Sequence, residues 1–393
     1  MKEYKFIKKN SNHWPTWPKY GEKERISINR VLSSNQISGA KEVEFFEKEF
    51  ASYNNSKFAH CVGNATQGLH LALAALNIGV GDEVIVTNYS WISTASCILM
   101  QNAVPVFCDI EEDTLGINPD EIVKKISKKT KAIIIVHMFG YMCKIDKISK
   151  IAKQKKIHLI EDASHAHGSS YKKIKAGNYG DIGVFSLHQR KNLSSGEGGI
   201  VVCKSKKIAK KIYQLRSFGS RELSYNYRMT EFCAAIARVR LKNLKRDNKK
   251  RKKNAEFLSK IFKNFNGINF LKPRDKSECV YHKLVLKFQK KYFKINLKGF
   301  IRKMQNNGVL IKETYPPLNE HSHFNPVIRS SRGIPWKWKL VSRNNNFPLM
   351  LKNLKFPVSN KLIKTTLIEL DINPQVTKKM LKNFHKLCLK FRK

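Results

Sequence analysis

Acidic residues are scarce in this sequence: 30 Asp and Glu stand against 75 Lys and Arg, leaving a formal net charge of +45. A deficit on that scale directs attention to polyanions and anionic surfaces. The lysines do not collect in one tail, however. They concentrate at 124–131, 204–211 and 245–253 and are otherwise spread along the chain. No RNP signature, zinc finger or homeodomain-like helix accompanies them. A solvated Lys-rich surface is therefore the reading, with nonspecific attraction to nucleic acid at low salt and no specific nucleic-acid partner.

Long hydrophobic runs are also missing. No stretch approaches the roughly eighteen uncharged apolar residues that a spanning helix needs, and the start, Met-Lys-Glu-Tyr-Lys, has no apolar segment of a secretory leader, so no membrane insertion is expected. There is no CxxC pair among the eight cysteines (Cys61, Cys97, Cys108, Cys143, Cys203, Cys233, Cys279, Cys388), several of which sit inside apolar runs. They read as buried reduced thiols in a cytoplasmic protein. Neither GxGxxG nor GxxxxGK[ST] occurs at the helix starts considered below, which leaves a dinucleotide fold and a P-loop unsupported. No internal repeat is evident.

What remains is a soluble globular composition, 41% hydrophobic and 27% charged over 393 residues, long enough for two domains. Short β-branched runs at 83–87, 104–109, 132–137, 158–162, 181–187 and 199–203 suit strands buried on both faces. Between them, 119–127 and 144–156 place apolar residues at helical spacing with lysines opposite. That alternation predicts an α/β fold with a mostly parallel sheet covered by helices. After about Lys245 a highly charged helical segment and shorter runs at 279–288 and 298–308 predict a smaller C-terminal α+β domain. The division is an arm over 1–30, a large domain over 31–245 and a small one over 246–393. Residues 325–356, rich in Pro, Arg, Asn, Trp and Ser without periodicity, read as loop.

Five segments carry chemistry. In Asp181-Ile-Gly-Val-Phe-Ser-Leu-His-Gln-Arg-Lys-Asn-Leu-Ser-Ser-Gly-Glu-Gly-Gly199 a buried strand delivers Ser186 and Lys191 into a loop closed by glycines. A buried or cation-flanked amine has a lowered pKa and attacks carbonyls, and Arg190 lies beside it. On spacing alone a surface lysine is an equal reading. Leu159-Ile-Glu-Asp-Ala-Ser-His-Ala-His-Gly168 ends a strand in Asp162, where parallel sheets present their ligands. Its His165 and His167 form an HxH pair, as do His321 and His323, but no third ligand at a defined spacing completes a zinc set, and no metal is expected. Gly63-Asn-Ala-Thr-Gln-Gly-Leu-His-Leu-Ala-Leu-Ala-Ala-Leu76 is a small-residue turn into an apolar helix, whose amides suit a phosphate or simply an N-cap. Asn88-Tyr-Ser-Trp-Ile-Ser-Thr94 follows a strand, where Trp91 alone would pass for core. Tyr225-Asn-Tyr-Arg-Met-Thr-Glu231 would pass for a turn before a helix over 231–244.

As an ordered series from about residue 30 to about residue 245, these segments resemble the DegT/DnrJ/EryC1/StrS family of pyridoxal-phosphate-dependent sugar aminotransferases of fold type I. The resemblance implies that Lys191 forms a Schiff base with pyridoxal 5′-phosphate and later carries the proton. It implies that Asp162 holds the pyridine nitrogen, and that His165, where the family usually has Gln, contacts the phenolic oxygen. Trp91 is implied to stack on the ring, while Thr66, the amide of Gln67 and the hydroxyl of Ser186 hold the phosphate. Asn226 is implied to reach the phosphate of the neighbouring subunit, which makes a homodimer. Glutamate or glutamine would be the amino donor and a keto sugar, usually nucleotide-linked, the acceptor. Trp14-Pro-Thr-Trp-Pro18, Val104-Pro-Val-Phe-Cys-Asp109 and Thr314-Tyr-Pro-Pro-Leu318 look like the branch that includes scyllo-inosose aminotransferases, so a keto-inositol is the second acceptor. Asn319 stands where the family often has His, with His321 nearby. A sugar dehydratase of the same fold is the nearest rival, but those relatives replace the Lys or carry an iron-sulfur cluster, and here Lys191 is present without a Cys cluster. A non-catalytic regulator binding nucleic acid is suggested by charge alone.

Overall fold

The computed structural model describes residues 14–218, 223–324 and 355–393. The stretch read as loop over 325–356 lies outside them except for its last two residues, as do the first thirteen residues of the arm. Of the larger sheet, β1 (Phe58–Val62), β2 (Glu83–Thr87), β3 (Val104–Cys108), β4 (Thr130–Val136) and β5 (His158–Asp162) come first. After the two-residue strands β6 (Ser170–Tyr171) and β7 (Ile174–Lys175), it is completed by β8 (Ile182–Ser186) and β9 (Gly199–Cys203). The order is β1-β9-β8-β5-β4-β2-β3. The five strands β8, β5, β4, β2 and β3 run parallel, and β9 is inserted antiparallel between β8 and β1. This is the α/β arrangement that the alternating pattern predicts.

The strands fall within one or two residues of the runs identified in the sequence, because a strand covered on both faces must be apolar at every position. Every residue of β8 and of β9 is buried. Crossover helices cover both faces, and two separate apolar clusters result, one centred on Ile133, Ile135, Leu159 and Phe185, the other on Ile134, Ile160, Val184 and Val201. The helix Ile145–Lys155 shows the logic: Ile145, Ile148 and Ala152 are buried at helical spacing, and the chain turns at left-handed Lys156 (φ 54°). Each such Ile contributes about 1.5–3 kcal/mol by leaving water. The strand of the large sheet that the pattern did not reveal is β1, Phe-Ala-His-Cys-Val, whose run is broken by the central His60.

Beyond the large sheet, β10 (Ile268–Phe270), β12 (Leu284–Phe288), β13 (Ile311–Glu313) and β14 (Leu367–Leu370) form an antiparallel sheet in the order β10-β12-β14-β13, while β11 (Ser277–Glu278) pairs with β6. The charged segment after Lys245 is not a new element. It continues one helix, Glu231–Ile261, 31 residues with neither Gly nor Pro inside, capped by Thr230 on the amide of Cys233. Its first half buries Leu241 and Leu244 against the large sheet, and its second half buries Ala255 and Leu258 against the small one. Val136, Met138, Phe139 and Trp14 share that second cluster, so the two sheets meet over common apolar ground. Among the described residues no helix is long and apolar enough to cross a membrane, and all eight cysteines are unpaired.

Candidate active site

The carboxyl ends of β1, β2, β4, β5 and β8 open on one edge of the large sheet. A cavity of about 820 Å3 lies there, closed on its far side by residues of the small sheet. Of the residues singled out in the sequence, Thr66, Trp91, Asp162, His165, Ser186 and Lys191 all line it. Segments separated by more than a hundred residues thus converge because parallel strands deliver their ends to the same side.

Lys191 stands in the loop after β8. That loop folds back on itself through Leu187 N to Gly198 O (2.8 Å) and Gln189 N to Gly196 O (2.7 Å). Gly196 and Gly198 take φ values of 93° and 145°, which side chains rarely adopt, so the glycines of the motif are required by the turn. The Lys191 carbonyl accepts the indole N–H of Trp17 at 3.0 Å. Burial brings the amine down to about 8, with Lys283 and Lys312 pushing the same way and Asp162 and Glu369 opposing them. An amine in that range has an appreciable neutral fraction near physiological pH, and that fraction is nucleophilic.

Asp162 ends β5. Thr94 Oγ1 donates to its Oδ2 at 2.7 Å, and the amide of Ser164 donates to Oδ1 at 3.1 Å. With its proton committed to Asp162, Thr94 accepts from Ser90 Oγ at 2.7 Å, so a buried chain of hydroxyls aims the carboxyl group into the cavity. Thr94 lies in the same motif as Trp91, but nothing in the sequence marked it. His165 Nδ1 accepts the amide of Phe139 at 3.3 Å. Burial holds the ring neutral, aided by Lys191 and neighbouring cations, so the remaining proton sits on Nε2 as a donor. His165 stacks on His282 (4.4 Å, 17°), whose Nδ1 lies 3.3 Å from Asn192 Oδ1. Both amide hydrogens of Asn192 are held elsewhere, by Val280 O and Asn248 Oδ1, each at 3.1 Å. His282 therefore donates from Nδ1, and its Nε2 is an acceptor.

At the helix Ala65–Ala75, Asn64 is the cap: its side chain accepts the amide of Gln67 at 2.9 Å, so the amide expected at a phosphate is taken up by Asn64 in this structure. Thr66 Oγ1 donates to Ser93 Oγ at 2.8 Å, adding a second hydroxyl to the turn. Gly199, paired with both Val62 and Ser186, passes directly beneath; a Cβ there would lie 2.7 Å from the Asn64 carbonyl carbon and 2.8 Å from the Ala65 amide. Trp91 lies edge-on to Tyr315 (5.7 Å, 67°) and is 56% exposed, leaving a ring face open. Asn226 is exposed and does not line the cavity of its own chain, although Tyr227 O beside it accepts the amide of Gly63 at 3.0 Å.

The opposite wall was not visible in the sequence. It carries Lys283 paired with Asp371, and Lys312, whose Nζ lies 3.0 Å from Glu369 Oε2. Neither Glu369 oxygen has a hydrogen bond of good geometry, the side chain is 1% exposed, and burial raises its pKa. Of the three acceptor-side segments, Trp17 and Tyr315 reach the cavity. Asp109 instead caps the helix Pro357–Thr365 through the amides of Val358 and Ser359, both at 2.9 Å. Asn319 packs through its amide on Asn88 Oδ1 (2.9 Å), and neither it nor His321 lines the cavity. No cluster of three metal-ligating side chains occurs among the described residues.

The sequence pattern of the DegT/DnrJ/EryC1/StrS aminotransferase family matches residues 18–355. The chain is 31% identical over 349 residues to L-glutamine:2-deoxy-scyllo-inosose aminotransferase of Streptomyces lividus, covering 80% of this chain and 81% of that one. It is 37% identical over 233 residues to GDP-perosamine synthase of Escherichia coli O157:H7, covering 57% and 64%. An aminotransferase structure from Psychrobacter cryohalolentis superimposes with a TM-score of 0.82 at 28% identity, over 95% of this chain and 97% of that one. The chain belongs to the DegT/DnrJ/EryC1/StrS aminotransferase family and is an enzyme that transfers amino groups with pyridoxal 5′-phosphate as its cofactor.

Proposed function

We propose that this enzyme moves an amino group from glutamate or glutamine to a keto sugar, in the making of an amino sugar or a polysaccharide. The observation that carries the reading is the partly neutral amine of Lys191 in one cavity with the carboxyl group of Asp162 and the Nε2–H of His165. These groups suit the cofactor's atoms: a nucleophile for its aldehyde, a carboxyl group for its ring nitrogen and a donor for its phenolic oxygen. The open face of Trp91 suits the ring. The Asn64–Gln67 turn with Thr66, Ser93 and Ser186 suits the phosphate, and the absence of a side chain at Gly199 lets the turn sit close to the sheet. Asn226, exposed beside that turn, suits a contact with the phosphate of a second copy in a homodimer. A cytoplasmic setting belongs to the same reading, supported by eight unpaired thiols.

Bound pyridoxal phosphate supplies an aldehyde that takes up the donor nitrogen and a ring that accommodates the electrons released at Cα. The protein's part is positional and acid–base. Lys191 Nζ accepts the Cα proton of the donor and, in the reverse sense, delivers a proton to the carbon of the acceptor that becomes aminated. Asp162, fixed by Thr94 and Ser164, keeps a proton on the ring nitrogen. His165 steadies the phenolic oxygen without charge, because its Nδ1 is already taken by the Phe139 amide.

For the acceptor, a nucleotide-linked ketone ranks first. Arg190 is exposed at the cavity and has no ion-pair partner among the described residues, which suits a diphosphate. The likeness to the scyllo-inosose enzyme over four-fifths of the chain supports a keto-inositol second. The test is a panel of both acceptor classes with glutamate and glutamine, with the amine product identified by mass spectrometry and parallel-line kinetics expected. Amination of neither class by a protein that holds the cofactor would overturn the acceptor reading, and protein that never takes up the cofactor would overturn the whole.

A further inference from the structure

Two tryptophans three residues apart each donate an indole N–H to the backbone carbonyl of a cavity residue. Trp14 Nε1 lies 2.7 Å from Asp371 O, just beyond β14, and Trp17 Nε1 lies 3.0 Å from Lys191 O. The segment is fastened along its length. Trp14 N donates to Gly308 O at 3.0 Å, Asn373 Nδ2 donates to Pro15 O at 2.7 Å, and Tyr20 Oη lies 2.9 Å from Ser194 Oγ at the far side of the Lys191 loop. The Trp17 ring also packs against two guanidiniums of the long helix, Arg240 and Arg251, each 4.5 Å from the ring centre. Those arginines are 7% and 2% exposed, and Arg240 Nε and Arg251 Nη1 have no hydrogen-bond partner, so the π face is part of what accommodates them. Trp17 is thus held by its faces and acts through its edge.

We propose that residues 14–20 are a strap that positions the active site, with Trp17 the positioning residue that fixes the Lys191 loop and Trp14 the one that fixes the wall bearing Asp371. The inference rests on Lys191 being the reactive lysine, and it adds a division of labour between the two indoles. An N–H on the carbonyl of a residue restrains that residue's own backbone, so losing it loosens the amine most directly. A loosened Lys191 is better solvated, and its pKa moves up toward the ordinary lysine range.

A benzothienylalanine at position 17, with the indole's shape and no N–H, removes the donor alone; Trp17→Phe keeps a smaller aromatic face for the arginines and removes the N–H together with one ring. In the full-length apoprotein, Lys191 would be acylated across a pH series and its labelling midpoint read by peptide mass mapping, a readout independent of turnover. The expected result is an upward shift of about half a pH unit or more, with kcat about tenfold lower in the loaded enzyme and acceptor KM unchanged. Trp14→Phe is expected to leave the Lys191 midpoint in place and raise acceptor KM. An unchanged midpoint in both position-17 variants, or an equal shift in the Trp14 variant, would overturn the proposal. Failure of the functional reading is separable: wild-type protein would then take up no cofactor, whatever the labelling shows.

Discussion

The two walls of the cavity are built by different means. On the large-sheet side, Asp162, Ser186 and the Asn64 turn sit at or just beyond the carboxyl ends of β5, β8 and β1, each within a few residues of its strand. On the small-sheet side, Lys312 and Glu369 lie on β13 and β14, with Lys283 just before β12 and Asp371 just beyond β14, and the antiparallel register, Lys312 opposite Glu369, brings together residues more than fifty apart. One wall is local in the chain and the other is made by pairing. The comparison teaches that one wall of a cavity can be carried by motifs along the chain, whereas the wall facing it is specified by the folded register.

Exchanging single groups on either wall tests that division. Lys191→Ala should remove the visible absorbance of bound cofactor and lower turnover by about four orders of magnitude. Asp162→Asn should lower kcat about 100-fold for every donor and acceptor alike. Glu369→Gln, across the cavity, should instead raise acceptor KM about tenfold with the cofactor spectrum intact, because it removes a contact made equally in ground and transition states. If the two carboxyl variants behave alike in steady-state kinetics, the walls are not functionally distinct. Thr94→Val removes one buried hydrogen bond to Asp162, about 1–3 kcal/mol, and should weaken cofactor binding in a spectroscopic titration about tenfold, with Thr94→Ser restoring it.

A further effect is on stability. Lys191 titrates at about 8 in the folded protein and in the ordinary lysine range when unfolded. Between those values the unfolded chain holds the extra proton, so this group makes the apoprotein more stable as pH rises from 8 toward 10. Urea unfolding of wild type and Lys191→Met over that range should show the wild-type curve rising relative to the variant. Parallel curves would mean that the amine is not desolvated by this wall.

Much of the large sheet was legible because burial on both faces leaves an unbroken apolar run, and the helices between strands because lysines mark their outer faces. β1 was not, since the polar His60 at its centre breaks the apolar run although the fold largely buries it. The change of pattern after Lys245 reflects composition within one continuous helix, where burial passes from one apolar cluster to another without a break in backbone structure. Thr94 escaped notice because a Thr in a helix's first turn resembles any other; only its 2.7 Å approach to Asp162 distinguishes it. Trp17 was read as an acceptor-side feature, and its contact with the Lys191 carbonyl, 174 residues away, had no local signal.

The helix Glu231–Ile261 has a consequence for how the molecule comes apart. At about 1.5 Å per residue it is a rod of about 46 Å, uninterrupted by Gly or Pro and embedded at one end in each apolar cluster. Melting one half would strip the other of its continuation and expose the buried Arg251 between them. The rod therefore makes the two halves partners in one cooperative transition, and a calorimetric trace of the apoprotein should show a single heat-absorption peak where two independently folding units would give two.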